Sequence, residues 1–173
     1  ALIEIPKSYN YISAFLTFAC NFKCHYCINK YNGLYRYKQL RAKDWIEGLN
    51  RIKTRRDLPV TLTGGERTLH QDFYDIVCGI KQSIPIDLLT NGKFDTEEFM
   101  KYVDFTRFKR NAPYASIRFS YHPHHTNIIK LLRKACRLQQ NSYSIGIWGV
   151  GETAHNKRMQ FLCKLFGIDF RLK

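Results

Sequence analysis

Short apolar runs rich in β-branched and aromatic residues alternate along this chain with longer segments whose apolar residues return every three or four positions. The first kind predicts strands, at Tyr11 to Phe18, Leu58 to Thr63, Ile84 to Leu89, Ala115 to Tyr121, Tyr143 to Gly149 and Ile168 to Leu172. The second predicts helices at Ala42 to Thr54, Gln71 to Gln82, Thr96 to Tyr102, Asn127 to Gln139 and Thr153 to Phe166. Asp95-Thr96-Glu97-Glu98 reads as a capping box, and Gly167 sits where a helix-terminating glycine belongs. Six strands joined by five helices are the signature of parallel βα units, an α/β fold. The pattern leaves open whether the sheet curls toward a barrel or stays flat and doubly wound. Either way ligands gather at the carboxyl ends of the strands.

With 173 residues, 45% of them hydrophobic, the chain suffices for one compact core domain spanning 1–173, and no repeat or linker interrupts the series. No run approaches the ~20 apolar residues of a membrane span. The opening Ala1-Leu2-Ile3-Glu4-Ile5-Pro6 lacks the layout of a secretory signal, so a soluble cytoplasmic protein without membrane association is expected. A net charge of +14 favours an anionic partner. The basic residues are spread over Arg51 to Arg56, Arg107 to Arg110 and Lys130 to Arg137, like solvated helix faces and loops, so nucleic-acid binding is open without being favoured.

The cysteines change the picture most. Cys78, Cys136 and Cys163 stand singly in amphipathic segments and are expected to be buried thiols. Cys20, Cys24 and Cys27 instead share the run Cys20-Asn21-Phe22-Lys23-Cys24-His25-Tyr26-Cys27, directly after the first strand. Three thiolates on one short loop suit three corners of a [4Fe–4S] cube and leave one iron open for chemistry. A structural zinc site is the alternative; it needs a fourth ligand, and no second cysteine pair is present. Beyond the second strand comes Thr63-Gly64-Gly65-Glu66, where glycines bare the backbone and a carboxylate offers an acceptor for an ammonium.

A C-x3-C-x2-C loop with aromatic Tyr26 before its third cysteine, followed by Gly-Gly-Glu at the next strand end, closely resembles the radical S-adenosylmethionine (SAM) superfamily. The resemblance runs along nearly the whole chain and implies a parallel (βα)6-type partial barrel whose final crossover helix is missing after Lys173. It implies that Cys20, Cys24 and Cys27 hold the cluster, that Gly64, Gly65 and Glu66 meet the SAM amino group, and that Tyr26 packs on adenine. Leu88-Leu89-Thr90-Asn91-Gly92 and Ser120-Tyr121-His122-Pro123 are similar to the family's third and fourth strand ends, making Asn91 and Ser120 candidates for the ribose or carboxylate. Ile147-Trp148-Gly149-Val150-Gly151-Glu152 resembles the adenine-side motif with its first glycine replaced by Ile145, which nominates Ile147 and Gly149. Arg67 stands where the family often has proline.

By resemblance the chain is an enzyme that cleaves SAM reductively to a 5′-deoxyadenosyl radical and abstracts hydrogen from an unidentified substrate. It would draw electrons from a low-potential donor such as flavodoxin or ferredoxin. Tyr121, His122, His124 and His125 beyond the fourth strand, and His70 near the second, are ambiguous between substrate contact and loop structure. A basic, zinc-stabilised nucleic-acid-binding module without catalysis is the competing reading; it accounts for the charge but not for Gly64-Gly65-Glu66. A domain that keeps the cluster without turnover is a third.

Overall fold

The computed structural model describes residues 1–29 and 38–173. Strands β1 (Ile3–Glu4), β2 (Ile12–Thr17), β3 (Ile52–Lys53), β4 (Val60–Gly64), β5 (Ile86–Thr90), β6 (Ile117–Tyr121), β7 (Ile145–Gly149) and β8 (Asp169–Leu172) alternate with five α-helices. These are α1 (Ala42–Leu49), α2 (Phe73–Gly79), α3 (Thr96–Tyr102), α4 (Ile128–Gln140) and α5 (Ala154–Leu165), with 3-10 turns at Arg67–Leu69 and Phe105–Phe108.

Each expected strand and helix is present, and the differences lie at the ends. The helical reading of 42–54 overshoots, because Asn50 stops α1: its amide donates to the Gly79 carbonyl at 3.0 Å and its side-chain oxygen accepts from the Lys81 N–H at 2.7 Å. Ile52 and Lys53 then pair in parallel with Ile3 and Glu4, a small two-stranded sheet that periodicity did not reveal. The partner that captures this backbone lies some fifty positions earlier in the chain, outside any local window.

The main sheet has the order β2-β4-β5-β6-β7-β8. Each new strand adds beside the last, so the order never reverses and the switch point of a doubly wound sheet is absent. The doubly wound alternative left open by the sequence is thereby set aside for a parallel sheet whose strands follow in chain order.

The described residues form two compact units, Ala1–Asp87 and Leu88–Lys173. In the first, β2 and β4 pair in parallel from Ile12↔Val60 to Thr17↔Gly64, and Leu16, Val60, Leu62, Phe73, Ile76 and Val77 are buried. In the second, alternate residues of β6 and β7 (Ile117, Phe119, Tyr121; Ile145, Ile147, Gly149) are buried, as are Leu131, Ala135, Leu138, Met159 and Cys163 from α4 and α5. Asp95 caps α3 as expected, its carboxylate accepting from the Glu97 and Glu98 N–H groups at 2.8 and 3.1 Å. Gly167 closes α5 with φ +64°. No disulfide joins the six cysteines. Cys163 is buried and Cys136 partly so, but Cys78 is exposed, contrary to expectation: Phe73, Ile76 and Val77 form the inward stripe of α2, and the next position turns to solvent. No described helix is long and apolar enough to cross a membrane.

Candidate functional site

In the first unit, β2 ends at Thr17 and β4 at Gly64, side by side in a parallel ladder, so the segments that follow leave the sheet at the same edge. Main-chain bonds fasten them together. The Gly65 N–H donates to the Thr17 carbonyl at 2.8 Å and the Glu66 N–H to the Ala19 carbonyl at 2.6 Å, one residue before Cys20. Asn29, two residues beyond Cys27, donates its amide to the Gly64 carbonyl at 2.9 Å. Both ends of the cysteine loop are therefore tied to the Gly-Gly-Glu segment.

That fit requires glycine. A Cβ on Gly64, whose φ is +133°, would lie 2.2 Å from the Thr17 carbonyl oxygen, and one on Gly65 would lie 2.2 Å from that of Ala19 and 2.5 Å from that of Phe18. The space the missing side chains leave is taken by the chain's own backbone, which is how two strand ends approach closely enough to share hydrogen bonds. Glu66 follows, fully buried. One carboxylate oxygen accepts from the Thr68 hydroxyl at 2.8 Å and caps the 3-10 turn, and the other lies 3.8 Å from the Arg67 guanidinium. Arg67 is also buried and donates to the Gly65 carbonyl at 3.1 Å, so the residue at the family's proline position braces the turn.

The loop itself turns tightly. The Cys27 N–H donates to the Cys24 carbonyl at 3.1 Å, and the Phe22 N–H reaches the Cys20 sulfur at 3.4 Å. Burial pushes the Cys20 thiol up, the Phe22 bond opposes this, and the charges of Glu66 and Cys27 add to the rise. Burial likewise raises Cys24, reinforced by the fields of Cys20 and Cys27 and relieved by a bond from the Tyr26 hydroxyl. Both shifts favour the protonated thiol, so metal loading at Cys20 and Cys24 must displace a proton from each. Among the described residues no three His, Cys, Asp or Glu side chains close around one point, which bears equally on zinc and on a cluster. An iron–sulfur cube distributes its thiolates over separate irons, and three soft donors on one short loop fit that group. Tyr26 is half-buried with its ring edge-on to His25, centroids 4.8 Å apart.

The remaining candidates lie in the second unit. Asn91 directly follows β5; its carboxamide oxygen accepts from the Lys93 N–H at 2.9 Å, and Lys134 from α4 donates to the carbonyls of Gly92, at 3.0 Å, and Phe94. Ser120 is half-buried on β6, opposite Trp148 in the ladder, on the face away from buried Phe119. Ile147 is fully buried, with its side chain in the core. Gly149 ends β7, and the space beside its Cα is filled by the Asn156 carboxamide, whose nitrogen donates to the carbonyls of Val150 and Gly151 at 2.9 and 2.7 Å. The structure thus brings together Cys20, Cys24, Cys27, Tyr26, Gly64, Gly65 and Glu66 in one unit, and sets Asn91, Ser120, Ile147 and Gly149 on successive strands of the other.

The histidines divide by role. His70 is buried between the Leu40 carbonyl, 3.0 Å from one ring nitrogen, and the Asp72 N–H, which donates to the other at 3.1 Å; it is structural. The His122 carbonyl accepts from His125 and Thr126, both at 2.9 Å, closing a turn, while His124 faces His155 with ring centroids 6.5 Å apart. Asn29, Lys134 and Asn156, which brace the loops, were not legible in the sequence. Lone polar residues acting on distant carbonyls carry no local signal.

A family model described as the Radical SAM superfamily matches residues 15–162. The GTP 3',8-cyclase of Yersinia pestis is 31% identical over 93 residues, covering 50% of this chain and 28% of that enzyme. The S-adenosylmethionine-dependent nucleotide dehydratase of Thermoplasmatales archaeon (strain ISO4-H5) is 28% identical over 83 residues, covering 47% of this chain and 29% of the relative. The chain thus spans less than a third of the length of these relatives. Among solved structures, Streptococcus suis SuiB bound to its precursor peptide SuiA superposes with a TM-score of 0.66 at 16% identity, over 94% of this chain and 38% of that one, a likeness of fold. None of these comparisons supports a zinc-stabilised nucleic-acid module. This chain belongs to the radical SAM superfamily, enzymes that use a [4Fe–4S] cluster together with S-adenosylmethionine.

Proposed function

We propose that residues 1–173 act as the core domain of a radical SAM enzyme that cleaves SAM reductively and abstracts hydrogen from a substrate held nearby. The observation that carries this reading is the pair of main-chain bonds, Gly65 to Thr17 and Glu66 to Ala19, that fastens Gly-Gly-Glu to the base of the cysteine loop. Cys20, Cys24 and Cys27 would hold the cluster, which supplies the electron that breaks the sulfonium C–S bond and so gives the 5′-deoxyadenosyl radical. Gly64, Gly65 and Glu66 would receive the SAM amino group beside it, with Arg67 bracing the turn that orients the Glu66 carboxylate. Tyr26 would pack on adenine. Asn91, Ser120, Ile147 and Gly149, at or near the carboxyl ends of their strands, are our candidates for further SAM contacts, Ile147 through its main chain because its side chain is in the core. The protein's share of catalysis is orientation and the exclusion of water.

The reaction runs in the cytoplasm, with electrons from a low-potential donor such as flavodoxin or ferredoxin. Anaerobic reconstitution tests the reading. Protein given iron and sulfide, then reduced with dithionite, should release 5′-deoxyadenosine from SAM, and Cys24→Ala should not. Stoichiometric zinc at the three cysteines, or SAM bound without any cleavage, would refute it.

A further inference from the structure

The face of the second unit's sheet that carries Ser120 is polar, which is unusual for parallel strands, normally apolar on both sides. Arg118, in the middle of β6, is 3% exposed. Its ladder neighbour on β7 is Gly146, and Trp148 next along that strand stands opposite both Ser120 and Arg171 of β8. Alternation along β8 puts Lys173 on the same side as Arg171. Two aromatic rings gather the cations. The Arg118 guanidinium lies 4.6 Å from the Tyr114 ring centroid and 5.0 Å from that of Trp148, and Lys173 Nζ lies 4.7 Å from Trp148. Arg110 and Arg171 also approach Tyr114, at 5.3 and 5.9 Å, and the two rings meet edge to face at 5.7 Å.

The Trp148 face fixes the Lys173 cation in place without cancelling its charge, as a carboxylate would. Asp169 offsets Arg171 at 2.9 Å, but among the described residues the Lys173 ammonium has no carboxylate partner. Burial and the like charge of Arg118 both push its pKa down, so an anion beside it would relieve the site. The Trp148 indole N–H is shielded from solvent and has no acceptor among the described residues, leaving a donor at the same place. Guanidinium forks, a point-charge ammonium and an indole N–H together match the several oxygens and multiple charge of phosphate better than a single carboxylate. The net charge of +14 would draw such a ligand in.

We propose that Arg118, Trp148, Arg171 and Lys173 form a subsite for the phosphate chain of a phosphorylated small-molecule substrate. This rests on the enzyme reading only in naming the ligand a substrate. A nucleic acid is the less favoured ligand because these cations sit on a sheet face, with Arg118 nearly enclosed, rather than on a protruding helix or loop.

The chain has two tryptophans, so Trp45→Phe leaves Trp148 as the reporter. Cluster-loaded W45F protein is titrated with inorganic phosphate, inorganic triphosphate, GTP, guanosine and a single-stranded oligonucleotide, following fluorescence and, in parallel, calorimetry. Triphosphate and GTP should perturb Trp148 and guanosine should not; tighter binding of GTP than of triphosphate identifies a nucleotide as the source of the phosphate, and equal binding the phosphate chain alone. Lys173→Gln, which leaves the main-chain bonds of that residue intact, and Arg171→Gln should each weaken triphosphate binding by about tenfold or more, the loss expected for one charge-assisted contact. Unchanged affinity in both variants, no binding of any phosphate compound, or an oligonucleotide binding more tightly than triphosphate through Lys173, overturns the proposal. SAM cleavage measured on the same samples separates the two readings. Cleavage with no phosphate binding sinks the subsite alone; phosphate binding lost in K173Q without cleavage keeps the subsite and sinks the enzyme.

Discussion

Replacing Gly65 by alanine adds one methyl group where the cysteine loop meets the Gly-Gly-Glu turn. Gly65 has no positive φ, so the backbone tolerates alanine and the effect isolates the close approach. The new Cβ would lie 2.2 Å from the Ala19 carbonyl oxygen, whereas ordinary contact begins at 3.4 Å, so the two segments must part by about 1.2 Å. The obstacle is main chain on both sides and has no rotamer to change. The bonds at 2.8 and 2.6 Å from Gly65 and Glu66 would be stretched past useful length. Overpacking at about 1–3 kcal/mol and two lost bonds at about 0.5–1.5 kcal/mol each give about 2–6 kcal/mol. For a chain of this size that lowers the melting temperature by roughly 4–24 °C. Thermal unfolding by circular dichroism reads the stability, and iron bound per chain with SAM binding by dialysis reads the site. Gly48→Ala on α1 is the control: nothing lies within 4 Å of its Cβ, so removing a helix-interior glycine should stabilise by about 0.4–1 kcal/mol. A Gly65→Ala protein with the parent's melting temperature, iron content and SAM affinity would refute the argument that this contact holds the site together.

Cys20→Ala, Cys24→Ala and Cys27→Ala should each abolish stable iron uptake, while Cys78→Ala, exposed on α2, should load iron like the parent in a colorimetric assay. Burial pushes the Cys163 thiol up to about 12, with Cys136 and Asp169 adding to the rise. Above its ordinary value only the unfolded chain sheds that proton, so stability is fully present below about pH 9 and falls toward pH 12, by about 1.4 kcal/mol at pH 10. Urea midpoints at about pH 8 and pH 10 should therefore differ less in Cys163→Ala than in the parent. Asp95→Ala removes the acceptor for two N–H groups of α3 and should cost about 1 kcal/mol in urea unfolding, most of it recovered in Asp95→Asn. Arg67→Leu strips the buried Glu66 of its cation and Gly65 of a donor, and should destabilise by about 1–3 kcal/mol and weaken SAM binding, both of which Arg67→Lys restores in part.

The order of elements was written in local pattern. Period-two and helical runs located the six main-sheet strands and five helices, and Asp95 and Gly167 marked helix ends through interactions within a few residues. The cysteine spacing and Gly-Gly-Glu were equally local, and they sufficed to name the family that the matched region bears out. The end of α1 and the β1–β3 pair escaped because the deciding partners of Asn50 and Ile52 lie about thirty and fifty residues away. The close packing at Gly64 and Gly65 escaped as well: on their Cβ side stand the carbonyls of Thr17, Phe18 and Ala19, from a strand end some forty-five residues earlier in the chain. Likewise the scattered basic residues read as solvated faces, and only strand register set Arg118, Arg171 and Lys173 about Tyr114 and Trp148. Chemistry carried by neighbours in sequence can be read along a chain. Chemistry assembled from residues that meet only when strands pair is fixed by register, and register is a property of the folded sheet.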